Sequence, residues 1–185
     1  MYKRQQDWDT AIEYASILID DKKNTFKLAD AKTKYNADYT FFDYMWAYDL
    51  SYEIIWRIGF TETSYGSPLG TVFLNFTKDL TYYYPDYVPA TAALNLYDAA
   101  DLRYSGYFAG KEQGLTIGYT NGLDWPMLVK YYGNRNFTDK LIFHVSMPKP
   151  FRLAEQYLIR AEAYCRKNDF TKAGNDLTAL RKMRY

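Results

Sequence analysis

Three groups of side chains in this chain have the types that hold flat, hydroxyl-rich ligands. The first is Trp125, followed by Pro126 and preceded by Asn121-Gly122-Leu123-Asp124. A Trp beside a Pro in a polar loop offers a rigid ring face, and Asn121 and Asp124 bring short hydrogen-bonding groups to its rim. The second is the run Tyr82-Tyr83-Tyr84-Pro85-Asp86-Tyr87, in which not every ring can turn inward, so Tyr82, Tyr83, Tyr84 and Tyr87 are all candidates. The third is Tyr65, in Ser64-Tyr65-Gly66-Ser67. The chemistry that suits such groups is non-covalent: the C–H faces of a sugar pack on the rings while its hydroxyls bond the polar neighbours. The competing reading is structural, with Trp125 packed against Val129-Lys130-Tyr131 and the tyrosines at a core edge, their hydroxyls paired.

Covalent chemistry has few candidates. His144 is the one histidine and falls in the run Leu141-Ile142-Phe143-His144-Val145, which reads as a packed strand. There is no Gly-x-Ser-x-Gly elbow, P-loop or Gly-x-Gly-x-x-Gly fingerprint. One His and one Cys exclude the common His/Cys zinc sets, and no cofactor or metal is expected. A glycoside hydrolase stays open as an alternative, because 22 acidic residues always offer pairs. The separations it needs, roughly 5 Å or 6.5–9.5 Å, are not a property of sequence. Asp101 and Arg103 read as a structural ion pair, Lys130 and Tyr131 as scaffold, and Trp8, Trp46 and Trp56 as core.

Composition agrees with a binding role. The 185 residues include 21 Tyr, 11 Phe and 4 Trp, and the net charge is +1. Stacked nucleobases normally come with a basic groove, so no nucleic-acid partner is expected. No apolar run reaches the length of a membrane span, and Met1 is followed by Tyr-Lys-Arg-Gln-Gln-Asp rather than an apolar leader.

The elements that position these groups fall into two kinds. Phe151 to about Lys167 reads as a helix, with Leu153, Ala154, Tyr157, Leu158, Ala161, Tyr164 and Cys165 on one face and Arg152, Glu155, Arg160 and Arg166 turned away. Asp169 is a plausible N-cap for a second helix to Lys182, with Phe170, Ala173, Leu177 and Leu180 on its face. The pair follows tetratricopeptide spacing, with Arg160 in a slot usually held by Leu. The N-terminus repeats it at a constant offset of 162: Tyr2, Arg4, Asp7 and Ala11 lie over Tyr164, Arg166, Asp169 and Ala173. Trp8 to about Asp20 is then amphipathic, and the chain is expected to open inside a repeat of a larger solenoid. Between these ends lie a short aromatic helix at 39–48, an extended stretch at 53–60, loops at 61–69, 82–87 and 114–124, and a short helix at 89–98.

Several stretches together resemble the SusD-like (RagB/SusD) family of surface nutrient-binding lipoproteins. They are Asp7-Trp8-x2-Ala11 through Ile19, Glu53-Ile-Ile-Trp56, Pro89 with Asp98-x2-Asp101-x-Arg103, Val129-Lys130-Tyr131, and Arg152-Leu-Ala-Glu-Gln-Tyr-Leu-Ile-Arg-Ala-Glu-Ala-Tyr164 with its continuation. The resemblance implies a mainly α fold: tetratricopeptide-like helical hairpins with a large loop-rich insertion of short helices and small strands. The expected division is 1–38 (repeat end and following helix), 39–147 (loop-rich ligand-binding half) and 148–185 (helical hairpin). It further implies non-catalytic binding of an oligosaccharide or polysaccharide at the outer-membrane surface. A SusC-like TonB-dependent transporter would be the partner, with membrane attachment only through a lipid anchor outside this segment. A tetratricopeptide-type peptide-binding scaffold is the other reading.

Overall fold

The computed structural model describes residues 5–30, 32–61, 69–75, 81–98, 100–119, 124–140 and 145–185, the side chains of 138–140 excepted. Tyr65, Asn121 and His144 lie outside the described residues. The chain runs α1 (Trp8–Ile19), α2 (Phe41–Ala47), β1 (Ile54–Trp56), α3 (Leu69–Phe73), α4 (Thr91–Leu94), α5 (Leu102–Tyr107) and β2 (Phe108–Ala109). Next come β3 (Met127–Leu128), β4 (Phe151–Arg152), α6 (Leu153–Arg166) and α7 (Phe170–Lys182), with short 3-10 turns at Lys111–Gln113, Val129–Tyr131 and Arg135–Lys140. The fold is mainly helical, as expected.

Helix α6 packs between α1 and α7. The buried alanines Ala11, Ala15, Ala161, Ala163 and Ala173 keep side chains short at both crossings. The internal repeat recurs in three dimensions. Gln6 and Asn168 both adopt left-handed backbone, with φ 60° and 61°. The next residues, Asp7 and Asp169, cap α1 and α7 by accepting from the backbone N–H of Thr10 at 3.2 Å and of Lys172 at 3.1 Å. Each cap satisfies an otherwise unpaired N–H of the first turn.

Arg160 departs from its expected place on the polar face. It is 8% exposed and ties the three helices together. Its guanidinium donates from Nε and Nη2 to the two carboxylate oxygens of Asp176 at 2.8 and 2.7 Å, and from Nη1 to Ser16 Oγ at 3.0 Å and Asp20 Oδ2 at 2.8 Å. Burial pulls its pKa down, but Asp176 and Asp20 outweigh burial and hold it above the ordinary arginine value. Conversely, Leu158, Leu177, Phe170 and Cys165, expected on apolar faces, are exposed.

The loop-rich part has two small cores. Ala29, Phe42, Met45 and Trp46 pack with Ile54, Leu102 and Tyr107. Leu74, Tyr83, Ile117 and Met127 pack with Phe73, Trp125, Val129 and Tyr132. Strand β1 pairs antiparallel with β4, and β2 with β3. Two buried carboxylates tie distant stretches of the chain together, and Glu53 also reaches the end of α7 through Arg184. Glu53 accepts from Ala29 N at 2.7 Å, Arg184 Nη2 at 2.8 Å and Arg152 Nη1 at 3.3 Å. Asp49 accepts from Asn134 Nδ2 at 2.7 Å and Met147 N at 3.2 Å and pairs with Lys149. Asp101 caps α5 and pairs with Arg103, as expected, while Leu102 N bonds Arg184 O at 3.0 Å and so joins α5 to the end of α7. Trp46 is core as expected, but Trp56 is not: it is 51% exposed, because the two-stranded ribbon covers only one of its faces.

Candidate functional site

The capping box of α2 sets the first wall. Thr40 Oγ1 accepts from Asp43 N at 3.1 Å, and Asp43 Oδ2 accepts from Thr40 Oγ1 at 2.6 Å. This fixes the helix entry and brings Tyr39 and Asp43 to the mouth of a cavity of about 380 Å3. That volume lies in the range of small-molecule sites. Trp46 lines its wall from the same helix, Ser105 comes from α5, Gln113 from the 3-10 turn after β2, and Tyr132 and Arg135 from the segment after β3.

Tyrosines in and flanking α2 form a ladder of rings. Tyr35 stacks on Tyr44 at 3.7 Å and Tyr44 on Tyr48 at 4.6 Å, while Tyr39 meets Tyr48 edge-on at 5.4 Å. The bond with Tyr35 raises the Tyr44 pKa. Burial, with Tyr39 alongside, raises that of Tyr48 against the opposing pull of Arg135. Phenols held this way stay neutral donors at physiological pH.

Arg135 carries its guanidinium 4.2 Å from the Tyr132 ring centroid. Among the described residues it has no ion-pair partner and donates no hydrogen bond, so its fork of N–H groups is available to a ligand. Tyr132 is held from behind, its hydroxyl 3.4 Å from that of Tyr83. Burial and this contact push the Tyr83 pKa well above the ordinary tyrosine value.

A second cavity, of about 400 Å3, adjoins the first and shares Ser105, Ala109 and Gln113 with it. It adds Tyr104, Phe108, Lys111, Glu112 and Asp124. A third, against Tyr97, Asn95 and Asp98, shares Tyr104 with the second. The three form a groove over α5 with aromatic rings spaced along it and short polar groups between them. Among the described residues no group of His, Cys, Asp or Glu could hold a metal ion.

Behind the first cavity, Lys130 lies over Trp46 at 4.3 Å, Tyr107 at 4.8 Å and Tyr131 at 5.3 Å. Burial, then the charges of Arg152 and Lys149, lower its pKa to about 8. It is scaffold, as expected: a cation held by rings rather than by a carboxylate.

The residues singled out from sequence scatter. Asp124 is exposed and lines the second cavity. Trp125 does not offer an open face: it packs on the second core and its indole N–H donates to Pro89 O at 2.7 Å. Tyr83 is corrected outright. It is 2% exposed and belongs to that same core. Tyr84 is half-buried, edge-on to Tyr119 at 5.6 Å. Tyr82 and Tyr87 are exposed, at 46% and 68%, and line none of the three cavities. Tyr39, Tyr132 and Arg135 were missed. The signal that could have found Tyr39 is its place just before a Thr-x-x-Asp capping box.

No family model matches the sequence, and no curated protein matches it. Solved structures do. The chain superposes with a TM-score of 0.69 and 17% identity on the surface glycan-binding protein A from Bacteroides uniformis, covering 100% of this chain and 39% of that one. It matches a SusD superfamily protein from Bacteroides thetaiotaomicron VPI-5482 equally well, with 99% and 39% covered. The chain therefore shares its fold with part of these two structures, and it spans about 39% of their length.

Proposed function

We propose that this chain is the glycan-binding part of a SusD-like surface protein and that the groove over α5 holds the sugar. The observation that carries the reading is the first cavity, where Tyr39, Trp46 and Tyr132 bring ring surface beside Asp38, Gln113 and Arg135. Rings for C–H faces and charged or amide groups for hydroxyls are the two things a saccharide needs. The fold shared with a surface glycan-binding protein supports the same class. Binding is without chemistry in this reading: the three fully buried carboxylates of the loop-rich part that hold cations, Asp49, Glu53 and Asp101, serve the scaffold. In the whole protein we place the groove at the outer-membrane face, attached by a lipid anchor outside this chain and passing ligand to a SusC-like TonB-dependent transporter. Asp124 belongs to the groove's second cavity, and Tyr82 and Tyr87 form a secondary contact surface.

Native affinity electrophoresis of the full-length protein through gels carrying a panel of polysaccharides tests this. Retardation by at least one polysaccharide, lost in Tyr39→Ala and kept in a variant of the exposed Phe170 on α7, Phe170→Ala, is the expected result. A folded protein that runs unretarded through every gel would sink the reading and favour a peptide ligand on the helical face.

A further inference from the structure

The groove is more acidic than the molecule that contains it. The whole chain has a net charge of +1. Along the three cavities stand five carboxylates, those of Asp38, Asp43, Asp98, Glu112 and Asp124. Only two described cations line the same surface, Lys111 and Arg135, which leaves three negative charges in excess. Counting Lys130, buried behind the Trp46 wall, still leaves two. Asp38, Glu112 and Asp124 are exposed, and among the described residues none has an ion-pair partner.

Resting on the glycan reading above, we infer that the groove selects neutral glycans and rejects polyanionic ones such as polyuronates and sulfated polysaccharides. Unpaired carboxylates are strong acceptors for sugar hydroxyls, which only donate to them. A polyuronate brings one negative charge per residue into the same groove. It meets Asp38 at one end, Glu112 and Asp124 in the middle and Asp98 at the other. A ligand charge seated against these lining residues lies at contact range from them, inside a Debye length of about 8 Å at physiological salt, so the repulsion is felt. Arg135 offsets part of it at one point only, and its guanidinium is already spread over Tyr132. Because the surplus is local, the net charge of the chain does not produce this selectivity; the groove residues do.

The test uses the full-length protein on paired gels: a polyuronate, and the same polymer after carboxyl reduction, which keeps the linkages and removes the charge. The paired gels are run beside the neutral panel. Neutral polymers should be retained about tenfold or more over polyuronates at low salt, with the gap narrowing as salt is raised. The triple variant Asp38→Asn, Glu112→Gln, Asp124→Asn, all at exposed positions, should raise retention by the polyuronate. Retention by a polyuronate or sulfated polymer equal to or above that by every neutral polymer overturns the inference and leaves glycan binding standing. No retention on any gel overturns glycan binding itself and this selectivity with it.

Discussion

The helices α1, α6 and α7 and the loop-rich part between them solve the same problem by different means. The helices bury small alanines against each other and spend one charged group, Arg160, on joining all three. The loops bury large rings in two separate clusters and draw their strands together with backbone bonds and two carboxylates, Asp49 and Glu53. The first arrangement concentrates stability in one hub. The second distributes it, and leaves ring edges, phenols and an unpaired guanidinium facing a groove. The proposed binding surface sits where cohesion is spread thin enough to leave such groups available.

The comparison is most sharply broken at the hub. Arg160→Ala leaves Asp176 buried without its partner, and chemical denaturation should show a loss of about 3–5 kcal/mol. A loss under 1 kcal/mol would mean that the alanine crossings alone hold the helices. Next in size is a contrast within the loops. Trp125→Ala should lower stability by roughly 2 kcal/mol, less than a fully buried Trp because it sits at the edge of the second core. Its glycan affinity should be retained. Tyr39→Ala should do the reverse, with little change in melting and a loss of affinity of about tenfold, the scale of one ring contact with its hydrogen bond. If Trp125→Ala alone abolished binding, core and site would have been assigned the wrong way round.

A pH experiment probes the cation behind the groove. The Lys130 amine, brought to about 8 from the ordinary 10.5, releases its proton earlier in the folded chain than in the unfolded one. The unfolded state therefore binds more protons between those values, and stability should rise with pH across that window. Below pH 8 the cost of burying the charge is complete. In spectra of carbon-labelled lysine one signal should titrate near 8, and it should vanish in Lys130→Met. A midpoint near 10.5 would show that the rings of Trp46, Tyr107 and Tyr131 fully compensate burial. The smallest effect tests the repeat: Asp7→Ala and Asp169→Ala should each cost about 1 kcal/mol, and by the same amount. Unequal losses would mean that the two turns share a shape without sharing an energetic role.

The helical part was legible because its information is local. Alanine spacing, an Asp at the starts of α1 and α7 and the offset of 162 all sit within a few residues of what they specify. Arg160 escaped, since an arginine counted by period belongs to the polar face until a buried Asp176 sixteen positions away is known to meet it. In the loops the deciding contacts are distant. Trp125 looked open until its N–H found the carbonyl of Pro89, 36 positions away. Trp56 alternates like a core residue, but a ribbon of two strands has no second layer to cover it. Tyr39 and Arg135 come to one cavity from opposite ends of the insertion, and no periodicity links them.

The bond from Arg160 to Ser16 closes a circuit of 144 positions, so everything between α1 and α6 is an excursion whose two ends meet. The entropy of closing such a circuit grows only with the logarithm of its length, about 0.6 kcal/mol for a doubling. Residues added to or removed from the groove's loops therefore weigh almost nothing on the helical clasp. A frame closed in this way tolerates changes of length in the proposed ligand surface while its own alanine crossings and arginine hub stay fixed.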